Sequence, residues 1–331
     1  MKRTKHIILV LAMCVVAAGC GGQETSSSPA QGASVGTESV GSLIVGWVID
    51  PSWSQVPVAE ALGYFEEVGL DITIVPFPTG AEALEALTGG AVDVATAGDV
   101  PTSAAILKNP TIRVIADGAR WPHGRFVARR SAGIESIEDL AGRKIAVPLG
   151  SSAHYFASKF LDEAGIEAEL LQVGPAEMVT VVNRGDVDVV AVFQTALARV
   201  AAELGDDAIE LQGEDPYIQH SLYLTRTDAM GDKAAALTAF VEAVAMADQP
   251  LTAGDDEALV ALAAATTLEL DLLTSVADEF VFETELGDAL SSDLLDRAGW
   301  GKSIGRIDAS VELPDYDEFI VGDYLDGGGA G

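Results

Sequence analysis

Cysteine is almost absent. The 331-residue chain has two, Cys14 and Cys20. Cys14 falls in a leader-like segment, so a single thiol is left, which excludes an internal disulfide and any thiolate metal cluster. Positive charge is scarce as well: 19 Lys and Arg stand against 51 Asp and Glu, a net charge of −32. A surface this acidic repels nucleic-acid phosphates and anionic headgroups, so no nucleic-acid partner is expected. Histidine occurs only as His6, His123, His154 and His220, without metal-binding spacing. There is no G-x-S-x-G elbow, no P-loop and no G-x-G-x-x-G after a strand. Neither a metal nor a cofactor is therefore expected, and enzymatic chemistry finds no motif. After residue 18 no continuous apolar run reaches membrane-spanning length.

Enough apolar residues remain, 49%, for a sizeable core. The N-terminus stands apart from it. Lys2, Arg3 and Lys5 precede an apolar stretch at 7–18, and AAGC follows at 17–20. This order is a secretory leader ending in a box that resembles the bacterial lipobox, with Cys20 as the lipid-bearing residue. Residues 1–19 are then signal peptide. Residues 20–42, rich in Gly, Ser, Thr and Gln, are the lipidated cysteine and a flexible tether. The body is expected outside the cytoplasm, anchored to the cell membrane through lipid.

From residue 43 strand-like and helix-like segments alternate. LIVGWVI (43–49), LDITIVPF (70–77), VDVATA (92–97) and IRVIAD (112–117) read as strands. Residues 56–67, 81–90 and 101–109 read as helices between them. Alternation of this kind predicts an α/β sheet with parallel neighbours. The pattern recurs. AEALEALTGGAVDVATAGD (81–99) resembles AEMVTVVNRGDVDVVAVFQ (176–194) at a constant shift of 95. That period is too long for a solenoid and fits two similar α/β lobes. RFVARR (125–130) and SLYLTR (221–226) flank the second unit as extended crossing segments. Lobe 1 is placed at 43–126 and 223–325, and lobe 2 at 127–222, with a mostly helical tail after 231.

In open α/β sheets ligands bind at the carboxyl ends of strands. Five turns qualify. The first holds Trp53 and Ser54, the second Gly98 and Asp99, and the third Trp121. The fourth, LGSSAHY, holds Gly150, Ser151, Ser152 and His154. The fifth holds Phe193 and Gln194, equivalent by the repeat to Gly98 and Asp99. The fourth turn is the most informative, because free N–H groups and the dipole of a following helix make an anion pocket. Each residue also has a structural reading. Ser151 or Ser152 suits an N-cap, Asp99 suits a cap, and Trp53 and Trp121 suit core packing. His154 suits either role.

The order GYFEEVGLDI (63–72), GDVP (98–101), SIEDLAGRKIAVPLGSSAHYF (136–156) and VDVVAVFQ (187–194) resembles the solute-binding proteins of ABC importers. The nearest group is the nitrate, sulfonate and taurine binders together with the thiamine-pyrimidine-precursor binders. The resemblance runs from 43 to about 245. It implies a type II periplasmic-binding-protein fold: two α/β lobes, joined by two crossing strands, closing on a ligand cleft. It also implies a monomer that binds a small molecule and hands it to a membrane permease with its ATPase. Sulfonate, taurine, nitrate, a pyrimidine and a riboflavin-like compound all stay open as ligands. A surface sensor is the alternative outside transport. The fungal thiamine-pyrimidine synthase, an enzyme relative, uses a lysine and a histidine where this chain has Ala97 and Pro101. Where the family has Trp, an acid and Pro after the second lobe's strand, this chain has Phe193, Gln194 and Thr195.

Overall fold

A computed structural model describes residues 39–215 and 217–325. The segments expected to be leader and tether, with Cys20, lie outside the described residues except for 39–42. Among the described residues eleven strands form two separate sheets. The strands are β1 (Gly41–Val48), β2 (Leu70–Phe77), β3 (Val94–Gly98), β4 (Ile112–Trp121), β5 (Phe126–Arg129), β6 (Lys144–Val147), β7 (Glu169–Gln172), β8 (Val189–Ala191), β9 (Ala208–Leu211), β10 (Gln219–Arg226) and β11 (Val281–Glu285). The larger sheet has the order β11-β4-β10-β3-β1-β2, the smaller β7-β6-β8-β5-β9.

Neither sheet is wholly parallel. β1 runs parallel to β2 and β3, whereas β10 lies antiparallel between β3 and β4. In the smaller sheet β6 is parallel to β7 and β8, and β5 is antiparallel to β8 and β9. The antiparallel insertions are the strands by which the chain enters one sheet after leaving the other. No local helix crossover precedes them, so nothing forces them to run with their neighbours. All five residues of β3 and all three of β8 are buried, which is why their sequences read as unbroken apolar runs.

Among the described residues thirteen α-helices accompany the strands. Those of the first half are α1 (Gln55–Ala61), α2 (Tyr64–Glu67), α3 (Gly80–Thr88), α4 (Asp99–Lys108), α5 (Ser152–Glu163), α6 (Met178–Arg184) and α7 (Gln194–Leu204). The tail adds α8 (Thr227–Asp232), α9 (Ala234–Met246), α10 (Asp248–Thr252), α11 (Asp256–Thr266), α12 (Leu270–Ala277) and α13 (Leu290–Ser303). The single helix expected over 56–67 is two. Gly63, at φ +77°, breaks it with a left-handed residue. The 95-residue shift carries α3–β3–α4 onto α6–β8–α7: the two β-to-α junctions fall at Gly98–Asp99 and Phe193–Gln194.

Tail helices close over the larger sheet. Phe240 of α9 stacks on Phe65 of α2, with centroids 6.0 Å apart, and meets Tyr223 of β10 edge-on at 5.4 Å. Helix α13 reaches further, along α4 and toward the start of α5, and so touches elements that serve both sheets. Among the described residues no single helix is long and apolar enough to cross a membrane.

Candidate functional site

A cavity of about 250 Å³ opens between the two sheets at the carboxyl ends of β1, β3, β6 and β8. From the larger-sheet side it is lined by the turn after β1 (Asp50, Ser52, Trp53), the start of α3 (Thr79 to Glu82) and Gly98. From the smaller-sheet side come Pro148 to Ser152, Gln172 and Phe193. Gln219, the first residue of β10, lies between them.

Of the residues singled out from the sequence, Trp53, Gly98, Gly150, Ser151, Ser152 and Phe193 line this cavity. Ser54, Asp99, Trp121, His154 and Gln194 do not. Ser54 turns its hydroxyl onto the Pro51 carbonyl, at 2.5 Å. Trp121 is fully buried, stacked on Phe280 at 6.2 Å, with its indole N–H donating to Glu279 at 2.9 Å. Gln194 donates to the same carboxylate from the head of α7. His154 accepts the Gly150 N–H at Nδ1, 3.1 Å away, and stands edge-on to Trp300. Burial, reinforced by the nearby Arg306 charge, pushes its pKa down to about 4.

Asp99 is the centre of a buried network rather than a cavity wall. Its Oδ1 accepts from Ser152 Oγ at 3.1 Å and from the Tyr217 hydroxyl, and its Oδ2 faces Arg297 Nε at 3.1 Å. Arg297 lies over the rings of Tyr155 and Tyr217, 4.5 and 5.0 Å from their centroids. The glycine before it has a matching role. A Cβ on Gly98 would come within 2.6 Å of Ser152 Oγ, so only glycine lets α5 approach β3 this closely.

Two helices point their unsatisfied ends at the cavity. Ser151 holds the N-cap position of α5 but does not cap it. Its hydroxyl donates back to the Pro148 carbonyl at 2.7 Å. Gly150, at φ +86°, makes the left-handed bend that sets this up. At α3, Thr79 caps the Glu82 N–H at 3.3 Å. The N–H groups of Gly80, Ala81 and Ser152 find no acceptor among the described residues. First-turn amides of this kind carry partial positive charge and accept an anion readily.

The floor of the cavity carries residues that the sequence did not single out. Asp50 is completely buried, and burial raises its pKa against the bonds from Ser52 that lower it. Its Oδ1 accepts from Ser52 Oγ at 2.6 Å, and Oδ2 from the Thr195 N–H at 3.3 Å, which ties the first turn to the head of α7. Gln219 Nε2 donates to Ser52 Oγ at 3.0 Å. An Asp before Pro51 is legible as a helix cap, and Asp50 is one. Nothing local marks Gln219, which reaches the floor only because β10 returns there. Among the described residues no Lys or Arg lines this cavity. Arg120 is paired with Glu283 and Glu285, and Arg125 with Glu210 and Glu279, each within 2.9 Å.

Two α/β units with a ligand-sized gap at their strand ends define the periplasmic-binding-protein fold, and solved structures of that fold superimpose. The alkanesulfonate-binding protein SsuA from Xanthomonas axonopodis pv. citri, bound to MOPS, aligns with a TM-score of 0.73 at 20% identity, over 85% of this chain and 98% of that one. The chain belongs to the NMT1/THI5-like family, whose model matches residues 50–258. Among curated relatives, the putative aliphatic sulfonates-binding protein of Escherichia coli (strain K12) is 29% identical over 126 residues, 37% of this chain and 40% of that protein. The taurine-binding periplasmic protein of the same organism is 27% identical over 206 residues, 60% of this chain and 63% of that protein. A relative from Legionella pneumophila, 25% identical over 139 residues, is named as 4-amino-5-hydroxymethyl-2-methylpyrimidine phosphate synthase and matches over 42% of each chain. The matched stretch thus covers less than two thirds of each of these relatives.

Proposed function

We propose that the chain is an extracytoplasmic solute-binding protein. It captures a small oxyanion in the cavity between the sheets and delivers it to the permease of an ABC importer. The observation that carries this reading is the convergence of two helix N-termini, α3 from one side and α5 from the other, with free amides at a 250 Å³ cavity. With no Lys or Arg in the lining, amide and hydroxyl donors in a confined space do the selecting. Asp50 and Glu82 place carboxyl groups in the walls, which favours a monoanion or a zwitterion over a polyanion. Sulfonates, taurine and nitrate fit this description. A pyrimidine or riboflavin-like compound offers no matching charge.

We place the lobe divisions where the chain passes between sheets, after Trp121 and before Gln219, a few residues ahead of the divisions at 126/127 and 222/223 expected from the sequence. Ser152 and Tyr155 of α5 already bond Asp99 and Asp296, so opening of the cleft would break these contacts. Cys20, lipid-modified, anchors the body through the tether of residues 20–42. The reading is of a binder without turnover, acting as a monomer.

Thermal-shift measurements with taurine, ethanesulfonate, nitrate, riboflavin and a hydroxymethylpyrimidine test the ligand class. A ligand at 100 times its Kd adds about 2.7 kcal/mol to stability. Ser152→Pro removes one cavity amide at a helix position that tolerates proline. It should reduce the shift given by the active compound well beyond the effect of Ser152→Ala. Equal shifts in both variants and wild type would place the ligand elsewhere. Conversion of any of these compounds by the purified chain would favour the enzyme reading. Cys20→Ser should move the protein from the membrane fraction into the soluble one.

A further inference from the structure

We propose that a second, larger cavity outside the cleft is a binding site for an amphipathic organic anion, one with an apolar body and a single terminal acid. This cavity measures about 490 Å³ and lies between α3, α4, α13 and the turn at Gly150. That volume suits a drug-sized ligand, whereas the 250 Å³ cleft suits a smaller one. The two share only Ala81, Pro101 and Gly150, so a thin wall separates them.

The walls mix polar and apolar groups, and the apolar share comes from Leu84 of α3, Val100 of α4, the Trp300 indole of α13, and Ile307 beyond it. The charges are the informative part. Lys108, Arg297 and Arg306 line the cavity, with Glu85 as the one acid. Arg297 is neutralised by Asp99, Asp293 and Asp296. Lys108 and Arg306 are not. Among the described residues only Lys108, Lys144, Arg184 and Arg306, of all the basic side chains, have neither a carboxylate within 4.0 Å nor a hydrogen bond. Two of these four line the same cavity. In a chain with 51 acids and 19 bases, a gap left by imperfect packing would be rimmed by acids. Here the unpaired charge is positive.

Arg306 is also placed by the fold. Its guanidinium lies against the backbone of Gly150, where a Cβ would come within 2.5 Å of its Nη2. That contact sets the charge beside the cavity mouth, where the exposed side chain is open to a ligand. A ligand here would touch α3 and α4 of the larger-sheet unit, α13 of the tail and the Gly150 turn that opens α5. It would therefore bridge elements of both sheets independently of what fills the cleft.

The probe is 8-anilinonaphthalene-1-sulfonate, which has an aromatic body and one sulfonate, titrated into the mature chain with emission excited through tryptophan. The expected result is one saturable site per chain, with energy transfer from tryptophan. Arg306→Gln combined with Lys108→Gln should weaken binding tenfold or more. Ala105→Glu, which sets a carboxylate in the same wall, should abolish it. Lys144→Gln combined with Arg184→Gln changes net charge equally and should leave the affinity within twofold. Ser152→Pro in the cleft should also leave it unchanged. The proposal is overturned by equal loss in both charge pairs, by no loss in Arg306→Gln with Lys108→Gln, by loss in Ser152→Pro, or by several unsaturable sites. Circular dichroism on each variant keeps a folding failure from being read as lost binding.

Discussion

His220 should make the stability of this protein fall between neutral and alkaline pH. The imidazole is buried at the start of β10, with Nδ1 2.6 Å from Asp117 Oδ2 and Nε2 3.0 Å from Asp293 Oδ2. Asp117 is itself buried and also accepts the Ser221 N–H at 2.8 Å. Arg120 stands 4.0 Å from Asp117, and Arg297 3.5 Å from Asp293. Burial alone would lower the His220 pKa. The two carboxylates override it and lift the pKa from 6.5 to about 10. The folded pKa lies above the unfolded one, so the contribution is fully present below about pH 6.5 and vanishes as pH climbs through about 10. At about 1.4 kcal/mol per pKa unit, the protonated His220 stabilises the fold by about 4 kcal/mol at pH 7 and about 1.5 kcal/mol at pH 9. Urea unfolding of wild type and His220→Asn at the two pH values isolates this, because titrations common to both proteins cancel. The difference in unfolding free energy should shrink by about 2 to 3 kcal/mol on going from pH 7 to pH 9. A difference equal at both pH values, or an NMR titration of His220 centred near its ordinary value, would refute the reasoning.

Arg297→Met leaves the buried Asp99 carboxylate without its ion-pair partner and should cost about 3 to 5 kcal/mol in denaturant unfolding. Adding Asp99→Asn to it should recover much of the loss, since the uncompensated charge is gone. His154 should stay neutral, so its ring carbon shifts should not move between pH 5.5 and 8 in NMR. Its depressed pKa removes stability only as pH falls below about 6.5 toward 4. Gly150→Ala combines a left-handed φ of +86° with a Cβ 2.5 Å from Arg306 Nη2, and should destabilise by about 1 to 3 kcal/mol. Arg306→Ala in the same chain should return the steric share of that loss and leave the backbone share, measured as a double-mutant cycle.

Local signals carried a good part of the architecture. Period-2 and continuous apolar runs located β1 to β4. The 95-residue shift put Asp99 and Gln194 at equivalent helix starts. These features depend on residues within a turn or two of one another. The break at Gly63 and the antiparallel course of β5 and β10 were not legible. The first is a choice of φ that glycine permits but does not demand. The second depends on which sheet a strand joins.

The same division runs through the site. The turn LGSSAHY was legible as a strand end followed by a helix start, because glycine and serines say so locally. Which of its side chains face the cavity was not. His154 turns back to the Gly150 amide, and Ser152 divides itself between the cavity and Asp99. Asp99 and Gln194 mark matching positions in the repeat, yet each is buried by partners more than 50 residues away: Tyr217 and Arg297 in one case, Glu279 in the other. By itself the sequence determined an acidic, cysteine-poor α/β chain with a repeated unit. Only the tertiary structure decided that Gln219 joins the cavity floor, and that Arg306 rests on Gly150. Both depend on long-range return of the chain, which no local preference encodes.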